Sequence, residues 1–377
     1  MVSPSNQGAS LSGESSNQDL FTGANLTALL GRPLRAIPLD TGLREVAGGR
    51  ILVTGAAGSV GTALASRLLA LDPELVVAVD THEASLFQLG RETPPGAPID
   101  FRVADVRNET KMRRLFAEVQ PRVVFHLAAY KHVPFGEREA DEPVSVNVFG
   151  TDVVARAAAD AGVAHLVYPS SDKAVNPPSV YGATKRLAEA ALLAHAASHS
   201  QPSVHIVRYV NILGSSGSVF ETFAQQARAG LPLTLTDPRM TRYWMAMDEG
   251  TALLIHALGL PSGSRTLLDT GEATRVAELA ERLYRLVRRD GSTPEFVVTG
   301  SRPGERLAEE LASASEHLVR RGDDGVLYIE SEGREESEGR ERPPAMDAML
   351  QELRELLADG DPEPLRSRIM EMAKELR

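Results

Sequence analysis

From residue 50 onward, short apolar, β-branched runs alternate with helical stretches, and this alternation constrains the fold more than any other feature of the chain. The runs are RILVTG (50–55), LVVAVD (75–80), IDFRVAD (99–105), RVVFHLAA (122–129), HLVYPSS (165–171) and VHIVRYVN (204–211). Runs this short and this uniformly apolar suit strands buried on both faces. Helical patterns at 59–70, 108–118, 148–161 and 183–198 lie between them, as crossovers between parallel strands require. The expected architecture is α/β, a Rossmann-type doubly wound parallel sheet with a smaller C-terminal lobe.

The junction after the first run reads VTGAAGSVG and places Gly55, Gly58 and Gly61 between strand and helix. Glycine there permits a tight turn and lets the backbone approach a pyrophosphate, whose charge sits at the helix N-terminus. Asp80 ends the second run, about where a carboxylate accepting from the adenosine ribose is expected. A carboxylate repels a ribose phosphate, so NAD is expected rather than NADP, a preference that the neighbouring His82 weakens slightly. Asp105, at the end of the third run, suits an adenine contact and suits turn chemistry equally.

The opening MVSPSNQGASLSGESSNQ holds few large apolar residues, and 1–25 is expected to be a flexible tail. Residues 26–211 form the expected dinucleotide-binding domain with an N-terminal extension. Beyond 211 the rhythm breaks into Gly- and Pro-bearing loops with helices near 219–229, 248–259 and 275–289, and 212–329 is assigned mainly to a substrate-binding lobe. The run ESEGREESEGRERPP reads as a charged linker over 330–344, and 345–377 as two amphipathic helices split by DGDPEP.

A formal net charge of −11 argues against nucleic acid or an anionic membrane as a partner. The chain has no Cys, which excludes disulfides and thiolate chemistry. His126, His132 and His205 lack ligand spacing, so no metal site is expected. No run approaches the roughly 20 apolar residues of a membrane span, and a cytoplasmic protein is expected.

The densest chemistry lies in SSDKAVNPPSVYGATK (170–185). Tyr181 and Lys185, four residues apart, share a helix face, where an ammonium beside the phenol lowers its pKa and makes it a usable base. Asp172 and Lys173 form a second pair, which the residues alone leave open between proton transfer and plain ion pairing.

Around that stretch stand YGATKR, HLAAYKHVP (126–134), NVFGT (147–151), MTRYWM (240–245), RPGERL (302–307) and LLGRPLRAIPLD (29–40). With these motifs the chain resembles the extended short-chain dehydrogenase/reductases that act on nucleotide sugars. Within them it resembles the soluble UDP-N-acetylglucosamine 4,6-dehydratases of the polysaccharide-biosynthesis group, from about residue 28 to the C-terminal helices. The resemblance implies a redox-neutral dehydration. NAD takes a hydride from sugar C4 while Tyr181, held by Lys185, takes the hydroxyl proton and Ser171 donates a hydrogen bond to the C4 oxygen. A neutral Lys173 then removes the acidified C5 proton, a protonated Asp172 releases the C6 hydroxyl as water, and hydride returns to C6.

The resemblance further implies a cofactor wall of Gly55, Gly58, Ser59, Val60, Gly61, Asp80, Asp105, Val106, Ala128, Ala129, Lys131 and Asn147, completed by Tyr181 and Lys185. It implies a UDP-sugar grip from Lys131, His132, Asn211, Ser218, Thr241, Arg242, Arg302 and Glu305, with the two arginines on the diphosphate and Glu305 on the uridine ribose. It also implies a homo-oligomer, with 148–161 and 183–198 as interface helices. The sequence departs from the group's KHVPLMExNP pattern, for Gly136 replaces a Met and Glu139-Ala140 replaces Asn-Pro, which is expected to open space near the sugar. Two rival readings stand beside this one. An epimerase of the same fold makes no use of Asp172 or Lys173, and a non-catalytic nucleotide-binding regulator makes no use of Tyr181 or Lys185.

Overall fold

The computed structural model describes residues 20–21, 23–331 and 344–376. Nine strands form one sheet: β1 (Arg50–Thr54), β2 (Leu75–Asp80), β3 (Ile99–Val103), β4 (Val123–His126), β5 (His165–Ser171), β6 (Ser203–Tyr209), β7 (Ser264–Leu268), β8 (Glu316–Arg320) and β9 (Val326–Ser331). Their order is β8-β9-β7-β6-β5-β4-β1-β2-β3, with β1 to β7 parallel and β9 antiparallel to both of its neighbours. The six runs read from the sequence are β1 to β6. The last residues of several runs leave the ladder and become the loops that reach the site. Strand order reverses between β1 and β4, and ligand crevices of such sheets open at the carboxyl ends there.

Alternation along the strands builds a core on each face. Ile51 and Val53 join Leu64 and Leu68 of α3 (Ser59–Leu69), which follows α1 (Gly23–Leu30) and α2 (Asp40–Val46). That face is completed by α4 (Glu83–Glu92), and Leu253 and Ile255 also pack there. Leu52 points the other way, toward α5 (Glu109–Val119), α6 (Thr151–Asp160) and α7 (Val180–Ser198), where Phe116, Val154 and Leu192 are buried. The remaining longer helices are α8 (Val219–Arg228), α9 (Met247–Ala257, which carries Leu253 and Ile255), α10 (Val276–Arg288), α11 (Pro344–Asp359) and α12 (Pro362–Glu375). Among the described residues no helix is long and apolar enough to cross a membrane.

Four expectations are corrected. Most of the tail and of the linker lies outside the described residues, but Leu20 is buried and α1 starts at Gly23, so the fold reaches back before residue 26. Leu26, Leu29 and Leu30 of α1 pack with Phe220, Phe223 and Leu279, so the first part of the N-terminal extension belongs to the second lobe, while Ile37 and, in α2, Val46 pack on the sheet. The lobe itself is not separate, because β7, β8 and β9 extend the main sheet. Finally, the outer face of 183–198 does not await a second subunit. Ala183, Leu187 and Ala191 are covered by Leu353, Leu365 and Ile369 of the chain's own C-terminal helices.

The edge strands escaped notice because charge disguises them. Arg208 of β6 is buried and holds Glu189 of α7 (2.7 Å) and Glu316 of β8 (2.7 Å), while Arg265 of β7 also pairs with Glu316. Glu189 and Glu316 are held below the usual carboxylate range, because burial, which raises them, is outweighed by the arginines.

Candidate active site

The carboxyl ends of β1, β4 and β5 open on a cavity of about 560 Å³. Its wall includes Gly55, Gly58, Ser59, Val60, Gly61, Asp80, Asp105, Val106, Ala128, Ala129 and Lys131, and it reaches Ser171, Lys173, Tyr181 and Lys185. Gly55 has φ +67°, and a Cβ there would stand 2.6 Å from Ala128 N; a Cβ on Gly61 would stand 2.2 Å from Gly55 O. Only glycine can build this turn. Helix α3 begins at Gly58 with no side-chain cap, which leaves its N-terminus to an anion. Asp80 braces the same loop, accepting from Ala57 N and His82 N at 3.0 Å each. The turn, the uncapped helix and the carboxylate fit a dinucleotide.

Two members of the expected cofactor wall behave differently. Asn147 is fully buried in a π-helical turn (Val144–Gly150), accepts from Tyr130 N (2.8 Å) and donates to Tyr130 O (2.9 Å) and Thr184 Oγ1 (2.9 Å). It shapes the Tyr130 loop from behind and is absent from the cavity wall. Asp105 lines the cavity but binds Arg107 (2.8 Å), whose hydrogen bonds hold its carboxyl below the usual range. Arg107, in the wall beside it, was not anticipated, because an arginine after a strand-end Asp looks like loop charge.

The chemical cluster is assembled by one backbone contact. Ser171 ends β5 and starts a single 3₁₀ turn (Asp172–Ala174), and its Oγ accepts from Lys173 N (3.2 Å) and donates to Asp172 Oδ1 (3.0 Å). Ser179 caps α7 by accepting from Gly182 N (3.2 Å). A Cβ on Gly182 would lie 2.2 Å from Lys173 O, so the helix and the turn touch through main chain. That approach brings the Tyr181 phenol beside Ser171 and Lys173.

Electrostatics here differ from the pairing suggested by spacing. Burial raises the Tyr181 phenol, and the cation opposing that rise is Lys173. Lys185 instead donates to Pro169 O (2.9 Å) and lies 4.4 Å from the Tyr168 ring centre, and burial pulls its ammonium down to about 7. Its long stem carries the amine to β5. Lys173 is not a neutral amine at rest. Burial lowers its pKa, but Asp172 (3.0 Å) and Glu309 (3.6 Å) outweigh that and raise it overall. Asp172 Oδ2 and Glu309 Oε2 are buried without a hydrogen-bond partner. Glu309 was missed, since AEEL after RPGER reads as helix surface.

A second cavity, about 730 Å³, shares Lys131, His132, Lys173 and Asn211 with the first and continues past Ser218, Arg302, Glu305 and Glu309. Lys131 Nζ donates to Ser216 O (2.8 Å), and Asn211 Oδ1 lies 3.5 Å from Lys173 Nζ. Ser218 Oγ is buried without a partner in that wall. Arg302 is exposed there, with its N donating to Glu305 Oε2 (3.0 Å). Two expected grip residues are otherwise engaged. Thr241 sits in a short ladder outside the cavity wall, and Arg242, which does line the second cavity, donates to Thr241 O (2.8 Å) and Arg306 O (2.9 Å) and faces Glu309 at 3.5 Å. Gly136 lines neither cavity; a Cβ there would face Pro143 and the start of α7.

A family described as polysaccharide biosynthesis protein matches residues 51–330. The chain is 40% identical to the probable polysaccharide biosynthesis protein EpsC of Bacillus subtilis and 38% identical to the capsular polysaccharide biosynthesis protein CapD of Staphylococcus aureus. Each match covers 76% of this chain and 49% of the relative, so the chain spans about half the length of these two. A UDP-glucose 4-epimerase of Rickettsia canadensis is 32% identical over 76% of this chain and 84% of its own. A UDP-N-acetylglucosamine 4,6-dehydratase (inverting) of Campylobacter jejuni is 29% identical over 71% and 79%. Among solved structures, Pen from Bacillus thuringiensis superposes with a TM-score of 0.70 at 26% identity over 81% of this chain and 98% of Pen. DesIV, a dTDP-glucose 4,6-dehydratase from Streptomyces venezuelae solved with NAD and DAU, gives 0.60 at 25% over 70% and 88%. On the strength of that match over most of its length, the chain belongs to the polysaccharide biosynthesis protein family, built on the fold of the short-chain dehydrogenase/reductases.

Proposed function

We propose that the protein is an NAD-dependent nucleotide-sugar 4,6-dehydratase acting on UDP-N-acetylglucosamine or a close relative. The observation that carries this reading is the 3.0 Å contact between buried Asp172 and Lys173, which lines both cavities and lies beside Tyr181. An acid and a base in contact suit elimination, whereas epimerisation at C4 leaves them idle. The glycine turn and Asp80 support NAD as the resident cofactor, and Arg302, Glu305 and Asn211 in the second cavity support a nucleoside diphosphate sugar.

NAD, when bound, supplies the acceptor for a hydride from C4 and its donor to C6. Tyr181, beside Ser171, takes the C4 hydroxyl proton as its phenolate, the form that the Lys173 cation favours, while the ketone forms. Asp172 and Lys173 share one proton between them. Passing it across their contact turns the ion pair into a neutral amine and a protonated carboxyl, the forms that elimination needs. Lys173 takes the C5 proton, the electron pair makes the C5–C6 double bond, and the C6–O bond breaks as Asp172 protonates the leaving hydroxyl. After hydride return, Lys173 gives a proton to C5. The proton on Tyr181 passes through Ser171, which also touches Asp172 at 3.0 Å, and resets the acid.

The test is NMR of UDP-N-acetylglucosamine incubated with the protein and NAD. A C6 methyl signal and a C4 ketone are expected, and Lys173→Ala should abolish both. A sugar inverted at C4 with its C6 hydroxyl intact, formed equally well by Lys173→Ala, would establish the epimerase instead.

A further inference from the structure

Glu309 is placed by a segment bolted to the catalytic turn. Arg306 donates to Val175 O (3.3 Å) and to Asn176 O, and Asn176 Nδ2 donates to Glu310 Oε2 (2.6 Å). Leu307 O accepts from Thr241 N (2.8 Å). These bonds fix the backbone on both sides of Glu309, whose side chain is 4% exposed. One carboxylate oxygen, Oε1, faces Lys173 Nζ at 3.6 Å and Arg242 Nε at 3.5 Å, and the other is buried with no partner. A half-satisfied buried carboxylate is costly, so its retention beside the amine calls for an explanation.

We propose that Glu309 is a positioning residue that sets the charge state of the Asp172–Lys173 pair from outside it. The inference rests on the dehydratase reading for its purpose, though not for its measurement. Asp172 can exchange its proton with the amine during elimination, whereas Glu309 stands too far for a hydrogen bond and acts through its field. Its negative charge retains a proton on the pair, and Arg242 behind it moderates that pull. The other groups facing Lys173 are Tyr181 from α7 and, across the shared cavity wall, Lys131 and His132. Lys173 and Tyr181 both feel Glu309, since its charge raises the pKa of each. Without Glu309 the pair should shed its shared proton at lower pH, leaving Asp172 ionised when it has to act as the acid.

Two readouts test this. The first is the rate of competitive acylation of Lys173 against pH, followed by mass spectrometry in the full chain without substrate. Glu309→Gln is expected to move its midpoint down by about 1 to 3 units, and Glu309→Asp to restore much of it. The second is the pH profile of kcat/KM, whose basic limb should move down in step. If Glu309→Gln does not fold, Arg242→Gln must move the acylation midpoint the other way, since it unmasks the carboxylate. An unchanged midpoint in folded Glu309→Gln overturns the proposal and leaves Glu309 as packing. A shifted midpoint in a protein that dehydrates no sugar supports the role of Glu309 and removes the dehydratase reading.

Discussion

Gly182→Ala isolates the contact on which the site's geometry depends. The added Cβ would lie 2.2 Å from Lys173 O and 2.9 Å from Pro177 Cβ. To reach the 3.4 Å of an ordinary contact, α7 and the turn 172–174 must part by about 1.2 Å. Removing glycine from a helix gains about 1 kcal/mol, while such overpacking costs about 1 to 3 kcal/mol, so net stability should fall by no more than about 2 kcal/mol. Catalysis should suffer far more, because a misplacement of about 1 Å between reacting groups costs about 100-fold in rate. Kinetics with saturating sugar nucleotide, beside urea denaturation of the same variant, separates the two effects. A folded Gly182→Ala protein with wild-type kcat would refute the argument that this main-chain contact sets the distance between Tyr181 and the Asp172–Lys173 pair.

Arg208→Met should lower stability by about 3 kcal/mol or more, because it leaves Glu189 and Glu316 buried with fewer partners; the measurement is the urea midpoint at neutral pH. Lys185, pulled down to about 7 in the folded chain from an unfolded value of 10.5, binds fewer protons folded than unfolded between those limits. Its contribution therefore rises with pH across that window, by up to about 1.4 kcal/mol per unit, and the wild type should gain on Lys185→Met between neutral and alkaline urea titrations. Arg302→Ala should weaken UDP binding by about 10- to 100-fold in calorimetry, the loss of a charge-assisted phosphate contact, with no change in thermal midpoint.

The sequence exposed the parts of the fold that depend on backbone and hydrophobic pattern. The six parallel strands alternate with helices of opposite period, and the glycine turn has to be glycine, so both were legible from residue types. Interactions between distant side chains were not. Nothing local marks Glu309 as the neighbour of Lys173, more than a hundred residues away, or shows that Arg208 needs Glu316 to become a core residue. The helical spacing of Tyr181 and Lys185 predicts a shared face but not the end point of a four-carbon stem, which here reaches Pro169 O. Asn147 shows the converse, a motif residue whose three hydrogen bonds all go to the protein. The covering of α7 by the C-terminal helices was hidden because both partners are ordinary amphipathic helices, and amphipathicity does not name its partner.

The central claim is an internal transfer of hydrogen within one sugar, and isotope tracing reads it directly. UDP-N-acetylglucosamine carrying deuterium at C4 should yield a 4-keto product with that deuterium in the C6 methyl group and solvent hydrogen at C5. Deuterium found back at C4 of an inverted sugar, or lost altogether, would contradict the account.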